Sequence, residues 1–322
     1  MRLTAIRPGC VCVRGTDAAP AGPRMNACPP QHLVVRRGTD ASTGEPTFLV
    51  NIVTSDESGL RQLRDLARRL AERIPNVISV INQIAGGVSN APKVEAEHLL
   101  HGDDHIFEQL CGVNFAVSAS SFFQTNPRQA EVLYGMVREA CGLREGRRDT
   151  VLDLFCGTGS IGLTLAKHAR HVVGFEVVPS AVRDARRNME LNAIGNAEFH
   201  CGDLNKVWSE LGDRLGGAPD VVVTDPARPG MHAGLCEWLN DCGARRIVYV
   251  SCNPSTQARD VSILTGTDRS PRDVEGKYRL TSLQAVDMFP HTPHIESIAV
   301  LDRITEPAEE EHGADRPARH LA

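Results

Sequence analysis

Val151-Leu152-Asp153-Leu154-Phe155-Cys156-Gly157-Thr158-Gly159-Ser160-Ile161-Gly162 reads as a short buried strand, a glycine turn and the opening of a helix. Downstream, β-branched apolar runs recur at His171 to Phe175, Ala197 to His200, Val221 to Thr224 and Ile247 to Val250, with helical stretches between them. Strands alternating with helices imply a doubly wound, mainly parallel sheet, because each parallel pair needs a crossover and a helix supplies it. Residues 126–303 are therefore expected to form an α/β, Rossmann-like domain. Open sheets of this kind bind ligands beyond the carboxyl ends of their strands. Five strand ends in turn carry a chemically useful group: Asp153, Glu176, Asp203, Asp225 and Cys252.

The turn formally contains G-x-G-x-x-G, which by itself fits a dinucleotide site as well. Asp153 argues against that reading. A carboxylate beside the turn would oppose a pyrophosphate, but it suits a cationic ligand such as the sulfonium and ammonium groups of S-adenosylmethionine. Glu176 stands 19 positions after Gly157, a usual distance for an acid that accepts both ribose hydroxyls. Cys252, in Val250-Ser251-Cys252-Asn253-Pro254, leaves the sheet where a nucleophile would be useful, although a lone free cysteine is more often an inert small hydrophobe.

Upstream the pattern differs. Leu33-Val34-Val35 and Phe48 to Val53, joined by the turn-rich segment from Gly38 to Pro46, read as a hairpin. Leu60, Leu63, Leu66 and Leu70 follow at helical spacing, and further strands are expected at 77–84 and 113–119. Residues 32–125 thus form a smaller α+β domain. A helix from Pro127 to about Cys141, with Asn126 as its cap and proline at its first position, bridges the two.

The 322 residues, 41% of them hydrophobic, suffice for about two domains, and no apolar stretch approaches the roughly 18 residues of a membrane-spanning helix. Ten cysteines are scattered without a C-x-x-C pair, which suggests reduced thiols in an intracellular compartment and neither a disulfide framework nor a metal site. The net charge of −5 does not attract nucleic acid, so RNA binding would need a local basic patch. Arg183, Arg186 and Arg187, or Arg245 and Arg246, are candidates. Residues 1–31 carry four arginines and one acid and read as an unstructured leader or an organelle transit segment. The compartment is then the cytoplasm or, with a transit segment, a plastid or mitochondrion. Residues 304–322 read as a disordered acidic tail.

Five segments together resemble the RNA uracil-5-methyltransferases. They are Ser121-Phe122-Phe123-Gln124-Thr125-Asn126, Asp153 to Gly159, Asp225-Pro226-Ala227-Arg228-Pro229-Gly230, Ser251-Cys252-Asn253-Pro254 and Asp287 to Glu296 with its Phe289-Pro290-His291-Thr292-Pro293-His294 core. In order and spacing the match covers roughly 120–302. The resemblance implies a class I methyltransferase fold and S-adenosyl-L-methionine as cofactor, contacted by Gln124, Phe155, Glu176, Asp203 and Asp225. It further implies Cys252 as nucleophile, Glu296 as general base, and a uridine of transfer or ribosomal RNA as substrate of a monomeric enzyme.

Ser160 stands where relatives often have Asn. Residues 1–31 are too short for the family's usual RNA-binding (TRAM) barrel, and Cys10, Cys12 and Cys28 lack the spacing of the iron–sulfur site of some members. A cytosine-5-methyltransferase and a non-catalytic RNA-binding protein on the same fold remain the alternatives, with His291 and His294 as rival bases.

Overall fold

The apolar runs after residue 150 form one sheet in the computed structural model, which describes residues 2–7, 10–14, 32–40, 42–86, 93–146, 148–204, 217–267 and 276–304. Strands β9 (Thr150–Leu154), β10 (His171–Glu176), β11 (Ala197–Cys201), β12 (Val221–Thr224) and β13 (Arg246–Ser251) are parallel. With β14 (Tyr278–Val286) and β15 (Glu296–Arg303) they lie in the order β11-β10-β9-β12-β13-β15-β14. Helices α3 (Ser160–Leu165), α4 (Pro179–Leu191), α5 (Ala233–Asp241) and α6 (Pro254–Leu264) supply the crossovers. Val221, Val222 and Val223 are fully buried, as expected of a central parallel strand covered on both faces. This is the doubly wound, mainly parallel sheet that the alternation of strands and helices foretold.

β15 runs antiparallel to both neighbours and brings the last described residues back beside β13, in a register that pairs Ser251 with Ser297. Arg245 and Arg246, candidates for a basic patch, instead tie the far edge of the sheet. Arg246 forks onto Asp302 and donates to Ala140 O, while Arg245 binds Gly142 O and the buried Asp149. Arg186 and Arg187 are likewise engaged, with Phe199 O and with Asp104 and His105. Arg183 is exposed.

A second sheet has the order β1-β2-β3-β4-β5-β6. The expected hairpin is β3 (His32–Thr39) and β4 (Pro46–Thr54), paired with Val35 opposite Val50. Helix α1 (Leu60–Arg73) crosses to β5 (Val77–Gly86) and buries Leu63 and Ala67 against Val50, Ile52 and Val80. Leu66, expected on that face, is exposed because the buried stripe follows i, i+4 from Leu63. β6 (Lys93–Gly102) closes the sheet. Residues 2–7 and 10–14, read from sequence as part of an unstructured leader, are strands β1 and β2, with Val11 opposite Val35 of β3. The rest of the leader, 15–31, and the tail beyond 304 lie outside the described residues.

The hairpin of β7 (His105–Leu110) and β8 (Val113–Ser118) sits between the sheets and leads into α2 (Pro127–Cys141), which Asn126 caps as expected. The free edge of β8 is satisfied by α4. Asn192 exchanges hydrogen bonds with the N–H and C=O of Asn114 at 2.8 and 2.7 Å. Fully buried Asn188 accepts from Ala116 N at 2.8 Å and donates to Thr158 O in the glycine turn at 3.3 Å. Asn188→Ala strands a buried N–H and a buried carbonyl at once, a loss of about 1–3 kcal/mol. Thermal melts should show Tm lowered by several degrees; an unchanged Tm would mean that the edge is held otherwise.

Candidate active site

The chain leaves β9 toward β10 and β11 on one side and returns through β12 and β13 on the other, so the crevice between the ends of β9 and β12 is the topological switch point. The glycine turn opens there. Gly162 must be glycine, since a Cβ would stand 2.8 Å from Asp153 Oδ2, which accepts the Gly162 N–H at 2.9 Å. Gly157 has φ +54 and nothing within 4 Å of where its Cβ would lie, which leaves open space above the turn. Phe155 itself holds φ 61, a left-handed conformation that a large side chain adopts only under constraint and that tends to mark a functional site.

Glu176, at the end of β10, accepts from Gly157 N at 3.1 Å and from Val178 N at 2.9 Å. Asp203 follows β11 after Gly202, whose N–H donates to Glu176 O at 2.9 Å. Buried Asp153 has one oxygen, Oδ1, with no hydrogen-bond partner. Burial pushes its pKa up to about 7, with the Gly162 N–H pulling down and Glu176 adding to the rise. The open turn, the carboxylate at a strand end and the orphaned acidic oxygen fit a ribose-bearing, cationic cofactor such as S-adenosylmethionine. They do not fit a pyrophosphate.

Glu296 and Cys252 stand at the same end of the β13–β15 ladder, whose last pair is Ser251 facing Ser297: Cys252 directly follows Ser251 and Glu296 directly precedes Ser297. Glu296 is 6% exposed and Cys252 half-buried. Burial raises the Cys252 thiol, Glu296 and Asp225 raise it further, and Arg228 opposes them. Burial followed by the fields of Glu296 and Asp153 lifts Asp225 to about 8. These four acidic groups therefore share one electrostatic environment that favours a positive ligand.

His291 and His294, the rival bases, are exposed, and His294 Nδ1 lies 3.2 Å from Arg228. Phe289, a candidate stacking platform, is partly buried against the core.

The loop that carries Asp225 and Arg228 is fixed by α6. Asn253 Nδ2 and Thr256 Oγ1 each donate to Arg228 O at 3.0 Å, Arg259 donates to Pro229 O, and Asp260 accepts from Met231 N at 2.7 Å. Asp260 also accepts from Tyr249 OH on β13. Sequence reasoning missed these struts, because polar residues at helical spacing look like a solvated face. It also missed Tyr134 of α2. Its buried hydroxyl donates to Ser160 Oγ at 2.9 Å, so the serine at the family's usual Asn position bonds to protein.

Gln124 lies apart from the acids. It is buried in a cleft of about 290 Å³ whose walls include Arg36, Arg37, Glu108, Phe123 and Thr125. Among the described residues no hydrogen bond joins it to Asp153, Glu176 or Asp225. Its segment is nevertheless tied to the Asp287–Glu296 loop, where Asn126 Nδ2 donates to Met288 O at 3.2 Å.

Asp153 and Asp225 also set a pH dependence. Their folded pKa values lie above the ordinary 3.8 of an aspartate, so the native state holds protons that the unfolded chain has lost. The stability they contribute is complete below about pH 3.8 and is lost as pH rises toward 7 and 8. Tm of the cofactor-free protein should fall between pH 5 and 8 (roughly the window between those values), and Asp153→Asn with Asp225→Asn should flatten the slope. A rising Tm, or an unchanged slope in the double variant, would contradict these assignments.

Among the described residues no helix is long and apolar enough to cross a membrane, and no three His, Cys, Asp or Glu side chains are grouped to hold a metal ion.

Comparison with known proteins agrees with this geometry. Residues 146–238 match a methyltransferase-domain family model, and 217–304 match that of the tRNA (uracil-5-)-methyltransferases. An uncharacterized RNA methyltransferase of Bacteroides thetaiotaomicron is 37% identical over 272 residues, 84% of this chain and 57% of the relative. One from Porphyromonas gingivalis is 40% identical over 265 residues, 82% and 54% of the two chains. The crystal structure of Pyrococcus abyssi tRNA (uracil-54, C5)-methyltransferase in complex with S-adenosyl-L-homocysteine superposes with a TM-score of 0.63 at 33% identity, covering 84% of this chain and 59% of that one. The chain thus spans little more than half the length of these relatives. Residues 217–304, which carry Asp225, the Cys252 strand end and the Asp287–Glu296 segment, are thus similar to the tRNA (uracil-5-)-methyltransferases, and the fold is that of the class I methyltransferases.

Proposed function

We propose that this chain is an S-adenosylmethionine-dependent RNA methyltransferase that methylates carbon 5 of a uridine in transfer or ribosomal RNA through a covalent Cys252 adduct. The observation that carries the proposal is a half-buried thiol and a buried carboxylate at the same end of the β13–β15 ladder, close enough for the carboxylate to raise the thiol, beside an acid-lined crevice that fits the cofactor. Glu176 and Asp203 would hold the ribose and adenine side and Asp153 and Asp225 the cationic side, with Phe155 and Gln124 as the further contacts that the family resemblance implies. When bound, S-adenosylmethionine supplies an electrophilic methyl group.

Carbon 5 of uracil is too weak a nucleophile to take that methyl unaided. Cys252 adds its sulfur to carbon 6, and the electron pair of the C5–C6 double bond shifts toward carbon 5 and the neighbouring carbonyl oxygen. Carbon 5, now enolate-like, would form the new bond to the methyl carbon as the methyl–sulfur bond breaks, its electron pair staying on sulfur and S-adenosylhomocysteine leaving. Glu296 then takes the carbon 5 proton, the double bond re-forms and the C6–S bond breaks, returning its electrons to Cys252. Burial and the nearby acids raise the Cys252 thiol, and a cationic ligand beside those acids would oppose that rise. The target base must be unstacked to reach this sheet edge.

Bulk RNA lacking 5-methyluridine, incubated with the protein and S-adenosylmethionine, should gain 5-methyluridine on nucleoside analysis. 5-Methylcytidine would transfer the mechanism to the other base, and no methylated nucleoside would reject the proposal. Cofactor binding is expected to depend on Glu176: calorimetry should show Glu176→Ala weakening S-adenosylmethionine by about tenfold or more, the loss of charge-assisted bonds to ribose. Unchanged affinity would remove Glu176 from the site.

A further inference from the structure

Gln257 lies on α6, one turn past the cap, and is 3% exposed. Its amide is fully engaged: Nε2 donates to Tyr249 O at 2.8 Å and to Ser297 O at 3.4 Å, while Oε1 accepts from Ser297 Oγ at 2.7 Å. Ser297 Oγ in turn lies 3.4 Å from Ser251 O. The two strand residues that this amide bonds directly are informative. Tyr249 is three residues before Cys252 on β13, and Ser297 immediately follows Glu296 on β15.

An amide buried here must offset its own desolvation, a cost that an apolar side chain of similar length would avoid. The rest of the buried face of α6 shows where that cost is accepted. Ile263 and Leu264, toward the far end, are apolar, and the buried polar residues Gln257 and Asp260 lie on the turns nearest the catalytic strand ends. General packing of a helix on a sheet requires no such distribution. Asp260 holds the Asp225 loop; Gln257 holds the two strands that carry thiol and carboxylate.

We infer that Gln257, together with Ser297, is a positioning residue that fixes the spacing between Cys252 and Glu296, and so governs the proton-removal step that ends the covalent adduct. The inference rests on the covalent reading above. A slack β13–β15 junction would let Cys252 attack carbon 6 nearly as before, because the nucleophile sits on its own strand end. Glu296 would meet the carbon 5 proton less often, and a misplacement of about 1 Å costs up to a hundredfold in such steps.

The test measures the fate of RNA in a single turnover with radiolabelled S-adenosylmethionine, comparing methyl incorporated with methyl still held in a protein–RNA conjugate on denaturing gels. Gln257→Leu and Ser297→Ala should each raise the conjugate-bound share about tenfold at nearly unchanged methyl incorporation and cofactor affinity, and Ser297→Thr, which keeps the hydroxyl, should restore release. A merely structural role would lower Tm and the active fraction and leave the partition between bound and released product unchanged, as would an irrelevant residue; an unchanged partition in Ser297→Ala overturns the inference. Should Gln257→Leu fail to fold, Ser297→Ala against Ser297→Thr still decides it. An intact enzyme that methylates RNA yet forms no conjugate with 5-fluorouridine RNA overturns the covalent reading itself, and the inference with it.

Discussion

Cys252→Ala should abolish methylation, with a loss of about 10⁴-fold or more, as expected when a covalent nucleophile is removed. Cys156 and Cys141 cannot take its place: both are buried in the core, and burial holds both thiols above their ordinary range. The substitution should leave the cofactor site intact, because Asp153, Glu176 and Asp203 stand on β9, β10 and the segment after β11. The expected result is therefore a folded protein with normal S-adenosylmethionine affinity by calorimetry, no 5-methyluridine and no protein–RNA conjugate. Retained turnover would remove Cys252 from the chemistry.

Glu296→Gln should fail at a later step. The amide keeps the size of the buried side chain but cannot accept the carbon 5 proton, and loss of a positioned general base costs about 10²- to 10⁴-fold. The change also removes a negative charge that now raises both Cys252 and Asp225, so thiol addition should be no slower than in the parent. Methyl transfer should proceed once and product release should stall. A methylated conjugate is then expected to accumulate and survive denaturing electrophoresis. Rapid release by Glu296→Gln would assign the base elsewhere.

Much of this site was legible because its parts are local. A strand end followed by a polar residue is a short-range pattern, and the parallel order of β9 to β13 turns five such patterns into one edge. The Asn126-Pro127 cap of α2 is local in the same way. The meeting of Cys252 and Glu296 is not: no periodicity says that β15 runs antiparallel beside β13, and only the family resemblance linked the two residues beforehand. β6 and β14 were missed because their sequences are polar and largely exposed, so neither strand shows a clean alternation. Of the arginines offered as a possible RNA-binding patch, Arg187, Arg245 and Arg246 bond to partners far away in sequence, which composition alone does not reveal.

The covalent attachment itself is tested most directly by incubating the intact protein with S-adenosylmethionine and 5-fluorouridine-containing RNA, then locating the modified peptide by mass spectrometry after protease and nuclease digestion. Fluorine cannot leave as a cation, so the adduct should be trapped. The expected product is the peptide containing Cys252 carrying one methylated fluorouridine nucleotide. Attachment at another residue, or no attachment by a preparation that methylates ordinary RNA, would contradict the mechanism.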